Sequence, residues 1–464
     1  MKIYNTLTKT KEPLVSCNDK KIQMFVCGPT VYDYIHIGNA RTFVFFDVVA
    51  KYLKSQDYEI DYIQNITDID DKIINKAKQE NKPWKEVADF YFDEFKKDIE
   101  TLGVTSPRYI KATDHIEDVR KQVKILIKNK NIYLLENDGW YFNLKTFPEY
   151  GKLSGRNAEI AETDDAVSRI DESEGKRNNG DFCVWKLAKV GENWWNDEKL
   201  GNGRPGWHIE DTAITEHFFG PQYDIHGGGQ DLIFPHHEAE ITQQESASGK
   251  KPFVKYWMHV AFLINKEQKM SKSLGNFETV NELLKKYPKE VLRFYLLSGH
   301  YRQPLEFSDK MLKQSGAAIN RITEFIQKLE LAKSDLEVEL PSEILELVKK
   351  QFTEAMDNDF NTPEAFAAIF EMIRAINPLL SENKVNQGQA KEILKLFKEI
   401  DTIANIVPSE KQKIPTEIQE LVEKREKLRQ GKNYEKADKI RTQIFDLGYG
   451  IEDTIYGPLT LKND

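Results

Sequence analysis

The sequence predicts an α/β fold, a parallel sheet with its ligand at the strand ends followed by a long helical region, and three stretches carry that prediction. In the first, an apolar strand, Met24-Phe25-Val26, ends in Cys27 and a Gly28-Pro29 break, and the chain then passes His36-Ile37-Gly38-Asn39 into a helix. The helix shows in Ala40, Phe43, Val44, Val48 and Tyr52, whose spacing repeats at three and four residues. The second stretch, Ile60 to Ile66, alternates as a strand does and ends at Thr67-Asp68-Ile69-Asp70-Asp71. In the third, beyond Tyr301, Ala318, Ile319, Ile322, Phe325, Ile326 and Leu329 trace one apolar helix face, and Ile344, Leu345, Leu347, Val348 and Phe352 trace another. Strand, tight turn and helix start form the place where such a sheet binds phosphates: Gly lets the backbone approach, and the helix N-terminus offers free amides and partial positive charge. A nucleotide is therefore the first ligand to consider.

Composition sets the bounds. A chain of 464 residues has room for two or three domains with cores of their own. Its start lacks a basic-then-apolar signal pattern, and no apolar run approaches the roughly 20 residues that span a bilayer. The expectation is a cytoplasmic protein with no membrane partner. Three cysteines, Cys17, Cys27 and Cys183, give no disulfide framework and leave metal ligation open. Cys17 and Cys183 read as ordinary thiols. A net charge of -9 argues mildly against a nucleic-acid partner. Its distribution matters more: between Val422 and Arg441, eight basic residues (Lys424, Arg425, Lys427, Arg429, Lys432, Lys436, Lys439, Arg441) face four acidic ones. On its own such a run is most often the solvated face of a helix.

Taken in order, the aspartates Asp68, Asp70 and Asp71 fit either a hard-metal site or helix capping before Lys72-Ile73-Ile74, and capping is favoured for most of them. Thr67, at the strand's C-terminal end, is placed for substrate. From about 107 to 195 the pattern is less regular, and Lys176, Arg177 and Asp181 receive no role. Further on, His236 and Glu240 are four apart, one face of a helix and a usable geometry for two zinc ligands, although that spacing more often makes a hydrogen bond. The metalloprotease pattern would need a second His at position 241, where Ile241 stands. Thr362-Pro363-Glu364 reads as a helix start with Thr362 as the capping hydroxyl.

A second signature lies far from the first. Lys269-Met270-Ser271-Lys272-Ser273, taken with His36-Ile37-Gly38-Asn39, resembles the pair of signatures of class I aminoacyl-tRNA synthetases. FVCGPTVYD, NITDIDDKI, GRPGWHIE, YDIHGGGQDLIFPHHEAE and YWMH, in that order and spacing, resemble the cysteinyl-tRNA synthetase family within that class. The similarity runs from the first residues into ADKIRTQIFDLGYGIEDT near the C-terminal end. It implies a Rossmann-type parallel sheet split by a connective insertion, then an α-helical bundle and a small C-terminal anticodon-recognition domain. The expected boundaries are 1–300 for the catalytic domain, with the insertion at about 107–195, then 301–404 for the bundle and 405–464 for the anticodon module. The implied partners are ATP, L-cysteine and tRNA(Cys), and the expected state is a monomer.

The family resemblance also implies chemistry. One zinc ion held by two Cys, a His and a Glu recognises the substrate thiol in that family, which carries over to Cys27, His236 and Glu240. The fourth position is Asp211, where the bacterial pattern has Cys; aspartate ligates zinc through oxygen and makes the site harder. A metal suits the task because cysteine and serine are near-isosteres that an apolar pocket separates poorly. Thr30, Thr67, Trp207 and His226 would line the rest of the amino-acid pocket. In adenylate formation negative charge spreads over phosphates, so fixed cations and donors are needed. Lys269 and Lys272 would supply charge, His36 would donate to a phosphate oxygen, and Gly38 would leave room for adenine. Asn39 replaces the signature's second His and keeps a donor, Met270, Ser271 and Ser273 complete the ATP-binding stretch, and Mg2+ would accompany ATP. Two rivals stand beside this reading: a cysteine ligase acting on a small amine, as in mycothiol biosynthesis, and a non-catalytic tRNA-binding paralogue. The C-terminal third argues against the first, and the intact His36, Lys269 and Lys272 against the second.

Overall fold

The computed structural model describes every residue except 18, 157–172, 190, 191, 193, 266, 267, 270–277, 333–341, 409–413, 455, 456, 463 and 464. The chain divides into two compact units, Met1–Leu283 with Tyr301–Leu305, and Leu284–His300 with Glu306–Asp464. Among the described residues no helix is long and apolar enough to cross a membrane.

The first unit opens with a hairpin, β1 (Lys2–Asn5) and β2 (Thr10–Pro13), and continues through β3 (Lys21–Val26), α1 (Ile37–Ser55), β4 (Glu59–Ile66), α2 (Asp71–Glu80), α3 (Trp84–Thr101) and β5 (Arg108–Lys111). After α4 (Ile116–Lys128) come β6 (Ile132–Leu135), β7 (Gly139–Phe142), β8 (Phe182–Leu187) and β9 (Gly203–Pro205). The chain returns as α5 (Ile209–Phe219), β10 (Tyr223–Gly229), α6 (Glu238–Ser248) and β11 (Val254–Val260), then a short hairpin of β12 (Leu263–Asn265) and β13 (Gln268–Lys269), and α7 (Val280–Lys286). Five strands form one sheet in the order β11-β10-β3-β4-β5, with every pairing parallel. Burial on both faces explains the near-continuous apolar run in β3, where Met24, Phe25 and Val26 are fully buried. It also explains α1, whose residues Phe43 to Ala50 are all buried, so a helix legible from one apolar stripe is in fact covered almost all round.

Strands β6 to β9 form a separate antiparallel sheet. Its span differs from the interval about 107–195 expected for the insertion. Arg108–Lys111 pairs in parallel with β4 as an edge strand of the central sheet, and Gly203–Pro205 pairs with β8. Helix α4 shares its core with both sheets through Val119, Val123 and Leu126. The aspartates after β4 are each taken by the protein. Asp70 caps α2 by accepting from Lys72 N at 2.8 Å, Asp68 accepts from Thr113 N and Oγ1 at 3.0 and 2.6 Å, and Asp71 pairs with Lys186 Nζ at 2.8 Å and with Arg204. The hard-metal alternative for these three is thereby set aside.

The second unit holds α8 (Lys289–Leu297), α9 (Asp309–Leu331), α10 (Ser342–Asp357), α11 (Thr362–Ser381), α12 (Gln387–Ala404), α13 (Thr416–Gln430) and α14 (Tyr434–Asp446), closed by a hairpin of Tyr449–Thr454 with Gly457–Lys462. Ile319, Ile322, Phe325 and Leu329 of α9 are buried on the expected face, whereas Leu347 of α10 stands 53% exposed. The cap of α11 is Asn361, which accepts from Glu364 N; Thr362 is the first helical residue, and its hydroxyl donates to Leu297 O at 2.6 Å. Helices α13 and α14 and the last hairpin share a small core of Ile418, Ile440, Ile444 and Ile451. In the basic run, Arg425 is fully buried in a two-pronged pair with Asp453 at 2.7 and 2.8 Å, and Arg429 reaches the same carboxylate at 3.0 Å. These two arginines hold the module together, as does Arg441, which is exposed but donates to Ile451 O at 3.2 Å, while Lys424, Lys427, Lys432, Lys436 and Lys439 remain on the surface.

Candidate active site and metal centre

The site lies where β3, β4 and β10 end. Beyond β3, Cys27 N donates to Gly227 O at 3.0 Å, and the next residue, Gly28, passes so close to β4 that a Cβ there would meet Asn65 O at 1.7 Å. Gly28 N donates to Asn65 Oδ1 at 2.6 Å. Thr30 and Thr67 pair across the two strand ends, with Val31 N donating to Thr67 O and Thr67 N to Pro29 O, both at 3.2 Å. Thr67 Oγ1 then donates to the buried Glu210 at 3.0 Å.

Around Cys27 the sequence-distant groups converge, and all are buried. His236 Nε2 lies 2.8 Å from Glu240 Oε1 and 3.0 Å from Asp211 Oδ2. Cys27 Sγ lies 3.2 Å from His237 Nε2, 3.3 Å from His226 Nε2 and 4.0 Å from Glu240 Oε1. His236 lies in the turn that leads into α6 and Glu240 in the first turn of that helix, their side chains meet as the spacing of four predicts, and Trp207 stacks on the His236 ring at 4.3 Å. His226, on β10, has Tyr223 OH 2.6 Å from its Nδ1 and stacks on Trp257. Cys27, His236, His237 and Glu240 form a group whose ligand atoms lie within 4.8 Å of one another. Asp211 touches it through His236, and its other oxygen accepts from Asn65 Nδ2 at 2.6 Å.

Electrostatics follow from burial. Desolvation pushes the Cys27 thiol well up, and the Glu240 and Asp211 carboxylates add to the effect. Burial likewise pushes Glu240 up, while for His236 it is outweighed by Glu240 and Asp211, which hold the imidazolium up to about 10. His208, His226 and His237 are driven well down by burial and stay neutral, and His259 falls to about 3. Two carboxylates thus converge on the His236 imidazole while the Cys27 thiol lies against His226 and His237, and the buried Glu240 Oε2 has no hydrogen-bond donor; His226 Nε2 stands 3.4 Å away. Sulfur, nitrogen and carboxylate donors around an unsatisfied buried oxygen fit a divalent metal of the zinc type. Glu238, between His236 and Glu240, faces the other way. It accepts from Gly151 N, Leu153 N and Ser154 N at 3.1, 2.7 and 2.6 Å, which fastens a turn of the inserted region to the start of α6.

The first signature forms the N-terminus of α1. His36 caps the helix, its Nδ1 accepting from Asn39 N at 3.2 Å, and a Cβ at Gly38 would stand 2.8 Å from that same nitrogen. Gly38 therefore leaves room for the His36 ring itself. The segment that follows the second signature comes back to this point: Ile37 N donates to Glu278 O and Val280 N to Ile35 O, both at 3.0 Å. Lys269 ends β13, whose backbone pairs with β12, while Met270, Ser271, Lys272 and Ser273 lie outside the described residues.

Comparison with known proteins decides the family. A family model described as tRNA synthetases class I (C) catalytic domain matches residues 13–317, and the DALR domain model matches 351–406. The chain is 44% identical to the cysteine–tRNA ligase of Clostridioides difficile (strain 630), with 98% of this chain and 99% of that one covered. It is 43% identical to the enzyme of the same name from Carboxydothermus hydrogenoformans, with the same coverage. The chain belongs to the cysteine–tRNA ligase family. Solved structures support the ligase fold at lower identity. A Mycobacterium tuberculosis methionyl-tRNA synthetase in complex with methionyl-adenylate gives a TM-score of 0.61 at 16% identity, covering 83% of this chain and 89% of that one. A LeuRS-tRNA-LeuAMS ternary complex from Agrobacterium radiobacter K84 gives 0.60 at 10% identity, covering 84% and 85%.

For a ligase of this family, sequence reasoning named Cys27, Asp211, His236, Glu240, Thr30, Thr67, Trp207 and His226; the structure brings Cys27, Asp211, His236, Glu240, Trp207 and His226 into one contact network, and connects Thr67 to it through Asn65 and Thr30 through its pairing with Thr67. It passed over Asn65, which ties Gly28 to Asp211, and His237, which lies against Cys27. Both stand inside the quoted motifs, but an amide in a strand and the second of two adjacent histidines carry no spacing signal of their own.

Proposed function

We propose that the chain is a monomeric cytoplasmic ligase that activates L-cysteine with ATP and transfers the cysteinyl group to the 3′ end of tRNA(Cys). The convergence of Cys27, His236 and Glu240 beside Gly28 carries the reading, because it gives a small polar amino acid a sulfur-seeking floor at the mouth of a nucleotide-binding sheet. Cys27, His236, Glu240 and Asp211 would hold one zinc ion. Bound there, zinc supplies a Lewis acid that favours a thiolate over an alcohol, and with it selection of cysteine over serine. Thr30, Thr67, Trp207 and His226 would orient the substrate: Trp207 fixes the His236 ring, and Tyr223 fixes His226.

In the first step the substrate carboxylate attacks the α-phosphorus of ATP, a P–O bond forms, and pyrophosphate leaves; Mg2+ accompanies the nucleotide. Nδ1 of His36 is an acceptor for Asn39 N, so the ring proton sits on Nε2, which donates to a phosphate oxygen. Lys269 and Lys272 balance the charge that builds on the transferring group. In the second step the terminal ribose hydroxyl of the tRNA takes the acyl group and AMP departs. The exposed Tyr434 and Phe445, with the lysines of α13 and α14 around them, suit unstacked anticodon bases. Cysteine-dependent ATP–pyrophosphate exchange, run against serine and with metal analysis of the same protein, tests the reading. Exchange confined to cysteine with stoichiometric zinc is expected, and folded, metal-replete protein without exchange would overturn it.

A further inference from the structure

Arg41 is a buried charge with no part in the mechanism so far. It lies on α1, one turn beyond the His36 cap, and is 1% exposed. Its guanidinium reaches out of the helix to three backbone oxygens: Nη1 donates to Ala261 O at 2.8 Å and to Phe262 O at 3.1 Å, and Nη2 to Gln303 O at 2.9 Å. Ala261 and Phe262 join β11 to β12, the strand that pairs with β13 and so carries Lys269. Where the chain returns, at Glu278 to Val280, main-chain bonds tie it to the first signature. Where it departs, the Arg41 side chain ties it to α1. A planar fork suits the task, because donors in fixed directions place carbonyls that lie on different strands of chain, which a point ammonium does less well.

We propose that Arg41 is a positioning residue for adenylate formation: it holds the root of the β12–β13 hairpin in register with His36, so that the two signatures act on one phosphate chain. The proposal rests on the ligase reading above. Its donors go to Ala261, Phe262 and Gln303, outside the Cys27, His236 and Glu240 cluster, so its loss acts on the chemical step and on ATP, and leaves cysteine selection alone. Displacing a reacting group by about 1 Å costs on the order of 100-fold in rate.

The test is single-turnover adenylate formation by active-site-titrated Arg41→Lys and Arg41→Ala in the full chain, with KM for ATP and cysteine and a melting curve for each. The comparison variant is Asp47→Asn, which removes a buried carboxylate on the same helix that serves Thr105, Ser106 and Lys51. A fall in rate of about 10- to 100-fold with cysteine KM within about twofold, partly restored to Arg41→Ala by added methylguanidine, is expected; Asp47→Asn should lower the melting temperature without that fall. If Arg41→Ala does not fold, Arg41→Lys gives the same readout. Unchanged rates per active site, or a loss that Asp47→Asn reproduces, sink the proposal alone. No cysteine-dependent exchange in the unaltered chain sinks the ligase reading and this proposal with it.

Discussion

Asp211 shows how one residue is pulled two ways. One oxygen receives Asn65 at 2.6 Å and the other faces His236 Nε2 at 3.0 Å, so the carboxylate both braces β4 and borders the Cys27, His236 and Glu240 cluster. Asp211→Ala removes an oxygen donor and leaves buried partners unsatisfied; zinc content should fall below half and cysteine KM rise about tenfold or more, read by metal analysis and pyrophosphate exchange. Retained zinc with normal KM would make Asp211 a neighbour of the site only. Lys272→Ala should lose adenylation by on the order of 100-fold while keeping the melting temperature, since it removes charge that acts only as phosphate charge develops; near-normal turnover would contradict its role. At this scale the sequence was informative wherever a residue type is rare for its setting, as with Cys27 after a strand or His236 and Glu240 four apart. Asn65 and His237 gave no such signal, because what matters in them is a partner brought in by the fold.

Among the elements, α4 shows what periodicity omits. Its apolar stripe marks a helix, but its charges serve the segment between β8 and β9. Asp197 is opposed by burial, yet Lys124 Nζ at 2.6 Å and the amides of Leu200 and Lys199 hold its carboxyl down at about 2. A folded value below the unfolded value of roughly 3.9 stabilises the fold above about pH 4, and that contribution is lost as pH falls toward 2. The melting-temperature gap between the unaltered chain and Asp197→Asn should therefore be widest at pH 5 to 7 and close as the pH drops from about 4 to 2; a pH-independent gap would assign the effect to packing. Element existence was readable here, but boundaries were less so. β5 and β9 are three or four residues long, too short for alternation to show, and their sheet membership is set by partners distant in sequence. The same limit moved the α11 cap from Thr362 to Asn361, since a hydroxyl and an amide side by side offer equal capping chemistry.

Across the whole molecule, the net charge of -9 misdirects unless it is placed. The C-terminal module buries Arg425 against Asp453 and keeps lysines outside beside Tyr434 and Phe445, which are 57% and 64% exposed. Tyr434→Ala and Phe445→Ala should each raise the KM for tRNA by about tenfold with cysteine-dependent exchange unchanged, because a base stacked on an aromatic ring is worth about 1–3 kcal/mol. Unaltered tRNA kinetics would turn attention to the lysines alone. The order of the parts was legible because the long motifs occur in family order, whereas the division of labour within the basic run was not, since Arg425 and Lys424 look alike until the helix is docked on its hairpin. The main-chain bonds from Ile35 and Ile37 to Val280 and Glu278 have a further consequence. They close most of the first unit into a ring clasped through the main chain, so the arc between can lengthen without moving its ends. A short foreign segment spliced at the exposed tip of the β6–β7 turn, at Asn137, should leave cysteine activation intact, which makes that corner a natural place to attach a probe or a second domain.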